Sequence, residues 1–297
     1  MTTGFDSVEN PPFDVYAPAE QRVPFVLNSP HSGRNYTSNF MDDVRLSDYA
    51  IRKSEDFLVD QLFASGISIG LPMLAANFPR AFLDVNREPY ELDPTMFEGK
   101  LPNFVNTQSV RVSTGLGTIA KIVADREEIY RERIPVQQAL ERVETIYKPY
   151  HACLRRLLAK THVHFGFAVL IDCHSMPSAH NGSPYERRPD FVIGDRFGSS
   201  CSPDLTLCIR DCLKALGYKV ALNKPYAGGF ITQHYGRPEN GLHAVQIEIN
   251  RGLYMDEVQM QKTDNFDILA NDIKQLLNMV VSIPESGMVG DRPLAAE

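Results

Sequence analysis

Phe167-Ala168-Val169-Leu170-Ile171-Asp172-Cys173-His174-Ser175 decides the fold class of this chain. Five apolar residues in unbroken succession, with no polar alternation, read as a strand buried on both faces, the kind found inside parallel sheets. The run ends in Asp172-Cys173-His174, where a chain normally turns with Gly, Asn or Asp rather than His, so a titratable imidazole stands at the strand's C-terminal end. Val23 to Asn28 repeats the pattern upstream: a short apolar run leading into Ser29-Pro30-His31-Ser32-Gly33. Downstream, His243 to Ile249 reads as another strand, with Glu248 between two isoleucines.

The remaining elements fall around these strands. Ser47 is placed as the N-cap of a helix running towards Gly66, with Ala50, Ser54, Leu58 and Leu62 four apart. Ile67–Ala75 and Ala81–Val85 read as further strands. Residues 86–117 hold too many Pro and Gly for regular structure, and a loop of that length in a compact domain is usually functional. Residues 118–162 are expected to be helical, divided at Pro135 and kinked at Pro149. Short strands at Phe191–Gly194 and Tyr218–Leu222 flank a helix at Pro203–Leu216 capped by Gly217, and a last amphipathic helix covers 263–282. Alternating strands and helices specify an α/β fold with a mixed, mostly parallel central sheet and helices on both faces. The expected organisation is a single domain over 1–297, with residues 1–20 an extended arm and 284–297 a loose tail.

Composition narrows the function. The 297 residues carry 30 Lys+Arg against 37 Asp+Glu, a formal charge of −7. A negative chain lacks the clustered cations that phosphate backbones and anionic membranes demand, so neither nucleic acid nor membrane is an expected partner. No apolar run is long enough to span a bilayer. The N-terminal MTTGFDSVENPPFD is acidic where a signal peptide is basic, which points to the cytoplasm. Five cysteines, at 153, 173, 201, 208 and 212, match no disulfide or CxxC pattern.

Ligands of open α/β sheets collect at the C-terminal strand edge, where His31, His174 and Glu248 all fall. Two histidines in matching settings suit a zinc ion held through neutral imidazoles, with a carboxylate as third ligand and water in the fourth position. A single histidine there could simply cap its strand through backbone hydrogen bonds; two in matching places favour the metal. Glu55 and Asp56, on the helix after His31, are the acids near this edge. Helical neighbours diverge by about 100°, so only one can face the site. Glu248 shares a strand face with Gln246 and Asn250, and a desolvated carboxylate beside a metal-bound water suits general base and then general acid work. Pairing with Arg251 is its plainer alternative. Arg80, Asn86 and Arg87 surround a short apolar stretch, and guanidinium forks fit a carboxylate or an oxyanion; ion pairs with Asp84, Glu88 or Glu91 compete with that role. Cys173 alternates with His174 and should point into packing, and no GxSxG elbow exists for a serine mechanism. Tyr226-Ala227-Gly228-Gly229-Phe230, followed by His234 and Tyr235, reads as a loop closing over substrate.

PHSG (30–33), SEDFLVDQLF (54–63), FPRAFLDVNREPYELDP (78–94), DCHS (172–175), DFVIGD (190–195), GGFITQHYG (228–236) and QIEINRGLY (246–254) together resemble the N-formylglutamate amidohydrolase family. That family is similar to the zinc carboxypeptidase and aspartoacylase/succinylglutamate desuccinylase group, which implies a hydrolase-like mixed sheet and one zinc held by two histidines and an acid. Residue by residue, the resemblance implies metal ligands at His31, His174 and Asp56, with Glu55 next in line for the acid. Asn86 and Arg87 look like the Asp-x-Asn-Arg grip on a substrate carboxylate, Arg80 like the arginine that polarises the scissile carbonyl, and Glu248 like the catalytic glutamate. A substrate with two carboxylates calls for a second cation, with Arg251 first and Arg187 or Arg188 as alternatives. The expected activity is hydrolysis of an N-acylated acidic amino acid, N-formyl-L-glutamate above all. A deacylase of other specificity, a carboxypeptidase-like peptidase and a non-catalytic binder of anionic metabolites are the competing readings.

Overall fold

A computed structural model describes residues 11–123, 126–178 and 188–282. Eleven strands occur among them: β1 (Phe13–Tyr16), β2 (Phe25–Ser29), β3 (Met73–Ala76), β4 (Phe97–Glu98), β5 (Ile134–Pro135), β6 (Ala168–Met176), β7 (Phe191–Gly194), β8 (Val220–Leu222), β9 (Leu242–Asn250), β10 (Met255–Asp256) and β11 (Gln261–Lys262). Seven of them form one sheet in the order β1-β3-β2-β6-β9-β7-β8. The β2–β6, β6–β9 and β7–β8 pairs run parallel and β7–β9 antiparallel, so the sheet is mixed and mostly parallel. All five residues of β2 and all nine of β6 are buried, as their unalternating apolar sequence requires.

The chain separates into two compact units. One comprises the N-terminal segment to Val15 with Ser29–Leu58 and Leu74–Arg155; the other comprises Tyr16–Asn28, Val59–Met73 and the chain from Arg156 onward. In the second unit the helix Asn265–Val280 buries Phe266, Leu269, Ile273, Leu276, Leu277 and Val280, a stripe at three- and four-residue spacing. It packs against the helices Pro203–Ala215, Val59–Leu62 and Ser65–Ile69. The Pro203–Ala215 helix stops before Gly217, whose φ of 95° few residues other than glycine adopt.

Several sequence expectations change. Phe13–Tyr16, placed in an extended arm, is a strand; residues 1–10 and the tail 284–297 lie outside the described residues. Ser47 does cap a helix, its hydroxyl accepting from the Ala50 N–H, but that helix ends at Arg52 and the stretch resumes only as Val59–Leu62 and Ser65–Ile69. Glu55 and Asp56 therefore sit in a turn, not on a helix. In place of a strand over Ile67–Ala75, the structure has the shorter strand Met73–Ala76. Ala81–Val85 is a buried turn: the Phe82 and Leu83 N–H groups donate to Pro79 O and the Asp84 side chain accepts from Asn86 N. Short apolar runs do not reveal by themselves whether a strand or a turn will bury them. The helical stretch begins at Val136, not near 118, and its irregularity precedes Pro149 as a π-helical turn, Val143–Tyr147, between helices Val136–Arg142 and Lys148–Phe165.

Candidate functional site

In the first unit the chain leaves β2 and turns through Pro30 to His31. Gly33 is required two residues later, because a Cβ there would stand 2.0 Å from the Phe78 carbonyl oxygen. This close approach sets the PHSG turn against the 78–87 turn. His31 Nε2 lies 2.8 Å from Asp84 Oδ1. Its backbone carbonyl accepts from the Asp56 N–H at 3.0 Å, and its Nδ1 stands 3.5 Å from Asp56 Oδ2. Asp84 is the centre of this half. Its Oδ2 takes Arg80 Nε at 3.0 Å and Arg87 Nη2 at 3.4 Å. Burial opposes charge on Asp84, but Arg87, Arg80 and His31 outweigh it and hold the carboxyl well below the usual range. Burial also pushes the Arg87 guanidinium down to about 10, against Asp84, which leaves it charged at neutral pH. Arg87 further donates to Leu116 O and Asn86 O. Glu55 is turned elsewhere: Arg52 meets its carboxylate at 3.0 and 3.3 Å and the Tyr36 hydroxyl at 3.2 Å.

In the second unit strand register does the positioning. β6 and β9 pair so that His174 stands opposite Glu248 and Asp172 opposite Gln246, all four on one sheet face. His174 Nε2 lies 2.9 Å from Asp172 Oδ2, while Asn28 Nδ2 donates to Asp172 Oδ1 at 2.7 Å. Gln246 Nε2 donates to Glu248 Oε1 at 2.8 Å. Arg251 Nε donates to Ser175 Oγ at 3.1 Å. Cys173 points into the core, where burial, with the Asp172 charge adding, pushes its thiol well above the ordinary value and removes it as a nucleophile. His234 is exposed and stacks on Phe230 in the helix Phe230–Tyr235. Arg188 donates to the Tyr226 hydroxyl, and Arg187 lies outside the described residues.

The ligand atoms of His31, Asp56 and His174, all buried, lie within 4.8 Å of one another. Zinc bonds of about 2.0–2.2 Å in tetrahedral array separate two ligand atoms by roughly 3.4 Å. The 3.5 Å between His31 Nδ1 and Asp56 Oδ2 suits a shared ion better than a hydrogen bond. Each histidine also places its other ring nitrogen against an aspartate, the support that metal-binding imidazoles ordinarily have. The residues fit a divalent cation. Sequence reasoning brought forward the triad but not these supports. Asp172, two before His174 on one strand, carries a period-two signal that could have shown it; Asp84, 53 residues from His31, carries none.

Comparison with known proteins gives the family. The family model described as N-formylglutamate amidohydrolase matches residues 23–255. An N-formylglutamate deformylase of Pseudomonas putida is 31% identical over 242 residues, 80% of this chain and 84% of that protein. One from Pseudomonas aeruginosa is 31% identical over 240 residues, with the same coverage. The crystal structure of an N-formylglutamate amidohydrolase from Ralstonia eutropha JMP134 superposes with a TM-score of 0.85 at 32% identity, over 91% of this chain and 97% of that one. A chain matched over most of its length by the family model, by these relatives and by a solved member belongs to the N-formylglutamate amidohydrolase family.

Proposed function

We propose that this amidohydrolase cleaves N-formyl-L-glutamate with water to formate and L-glutamate, using one zinc ion held by His31, Asp56 and His174. The buried triad, in a chain whose relatives are named N-formylglutamate deformylase, carries this reading. When bound, the ion supplies a Lewis acid and lowers the pKa of water. Glu248 accepts a proton from the attacking water and returns it to the amide nitrogen, so the C–N bond breaks to release an amine rather than an amide anion. The Gln246 amide holds that carboxylate at its Oε1. Arg80, tethered through its Nε to Asp84, is the donor for the oxyanion, a contribution of roughly 3–4 kcal/mol where such donors have been measured. Asn86, Arg87 and Arg251 bind the substrate's carboxylates.

The partner is thus a small anion, not nucleic acid or membrane. No helix among the described residues is long and apolar enough to cross a membrane, and all five cysteines are free thiols, which supports a cytoplasmic setting.

Metal analysis of purified protein combined with formate release tests the reading. The expected result is about one zinc per chain, with formate release that a chelator abolishes and zinc restores. Full turnover in metal-free protein overturns the zinc assignment. Hydrolysis of other N-acyl amino acids or of peptides in preference to N-formylglutamate overturns the substrate. Neither metal nor hydrolysis leaves a binder of anionic metabolites.

A further inference from the structure

The turn carrying Arg80, Asp84, Asn86 and Arg87 is irregular backbone, yet three of its carbonyls are held by side chains of one helical segment. Arg142 Nη1 donates to Phe82 O at 3.1 Å, and its guanidinium lies 3.9 Å from the centre of the Phe82 ring. The His151 ring Nε2 meets Val85 O at 2.9 Å, and the Tyr147 hydroxyl donates to Arg87 O at 2.6 Å. All three side chains are buried, and the Tyr147 and His151 rings lie 4.3 Å apart. Arg142 is further fixed by the Tyr130 hydroxyl at 2.8 Å and Gln138 Oε1 at 3.1 Å.

A regular helix could not present these three groups together. At about 100° per residue, Arg142 and Tyr147 would stand about 140° apart and Arg142 and His151 about 180° apart, on opposite sides. The π-helical turn Val143–Tyr147, closed by the Lys148 N–H on Val143 O, takes up one extra residue. Tyr147 then falls about 40° and His151 about 80° from Arg142, as fourth and eighth neighbours would. Residues 142, 147 and 151 all fall among the buried pairs 142–143, 146–147 and 150–151.

We propose that the π-helical turn aligns Arg142, Tyr147 and His151 as a clamp on the 79–87 turn, and that they are positioning residues for recognition of the substrate carboxylate. None of the three side chains is assigned to touch substrate. They act through the backbone of Phe82, Val85 and Arg87, so a loosened clamp misplaces the Asn86 and Arg87 side chains. The inference rests on the proposed role of those two residues in binding.

The test uses zinc-loaded Tyr147→Phe and His151→Phe proteins, which keep the ring packing and lose one donor each, with His151→Gln as a variant whose amide can still donate to Val85 O. Tyr147→Phe and His151→Phe are expected to raise KM for N-formylglutamate about two- to tenfold, the effect of one buried hydrogen bond. kcat and bound zinc should stay within twofold of the parent, and His151→Gln should restore KM. A fall in melting temperature with unchanged KM, while Arg87→Lys raises KM, overturns the clamp and leaves the binding role of Arg87 standing. Unchanged KM in all of these, including Arg87→Lys, removes the binding role of the turn and the clamp with it.

Discussion

The two histidines of the triad reach matching chemistry by opposite means. His174 belongs to a nine-residue strand whose register alone sets Asp172, Gln246 and Glu248 around it, and its supporting aspartate is two residues away on the same strand. His31 lies beyond the end of its strand, and its aspartate comes from a turn 53 residues later that is itself held by Arg80 and Arg87. A strand fixes side-chain direction through its ladder, so one local pattern builds half a site. A turn fixes nothing without outside partners, so the other half needs side chains from several segments. The difference should also appear in how each half responds to change.

Removing either histidine is the largest perturbation. His31→Ala and His174→Ala should each lose bound metal and reduce formate release more than a thousandfold, as read by metal analysis and turnover. Their stabilities should differ. Asp84 keeps two guanidiniums after His31 is lost, whereas Asp172 keeps the neutral Asn28 amide, and an uncompensated buried carboxylate is costly. His174→Ala should therefore melt at the lower temperature; the reverse order breaks the comparison.

Glu248→Gln comes next. It belongs to the strand-built half and should keep zinc and KM while kcat falls a hundredfold to ten-thousandfold, the range of a positioned acid–base group. Near-parental kcat per bound zinc would show that Glu248 is only a buried polar residue.

Asp84→Asn against Asp172→Asn sharpens the contrast. Both should weaken zinc binding about ten- to a hundredfold, the usual effect of removing a ligand's supporting carboxylate. Asp84→Asn alone should also raise KM and lower stability, because Arg80 and Arg87 lose their shared counter-charge. Equal effects of the two substitutions on KM would show that the turn is not a hub.

The smallest expected effect is Arg87→Lys. An ammonium cannot reproduce paired planar donors, so KM should rise about tenfold with kcat little changed. An unchanged KM assigns Arg87 to structural pairing with Asp84 instead.

Strand sequence by itself determined the strand-built half. Unalternating apolar runs gave β2 and β6, the alternation of Gln246, Glu248 and Asn250 with isoleucines gave β9, and His31, His174 and Glu248 fell at or just past the C-terminal ends of these strands. Amphipathic spacing gave the helices Pro203–Ala215 and Asn265–Val280. Only the tertiary structure decided between Glu55 and Asp56: two hydrogen-bonding groups, Arg52 and Tyr36, take Glu55 away, while a backbone bond to His31 O brings Asp56 in. It also decided that 81–85 is a turn, that Asp84 joins His31 to two arginines, and that the long helix takes a π-helical turn. These features depend on hydrogen bonds between residues far apart in sequence. Local periodicity records which face of an element is buried; it carries no information on which distant donor will satisfy a buried carbonyl or carboxylate, and that pairing is fixed only when the segments pack together.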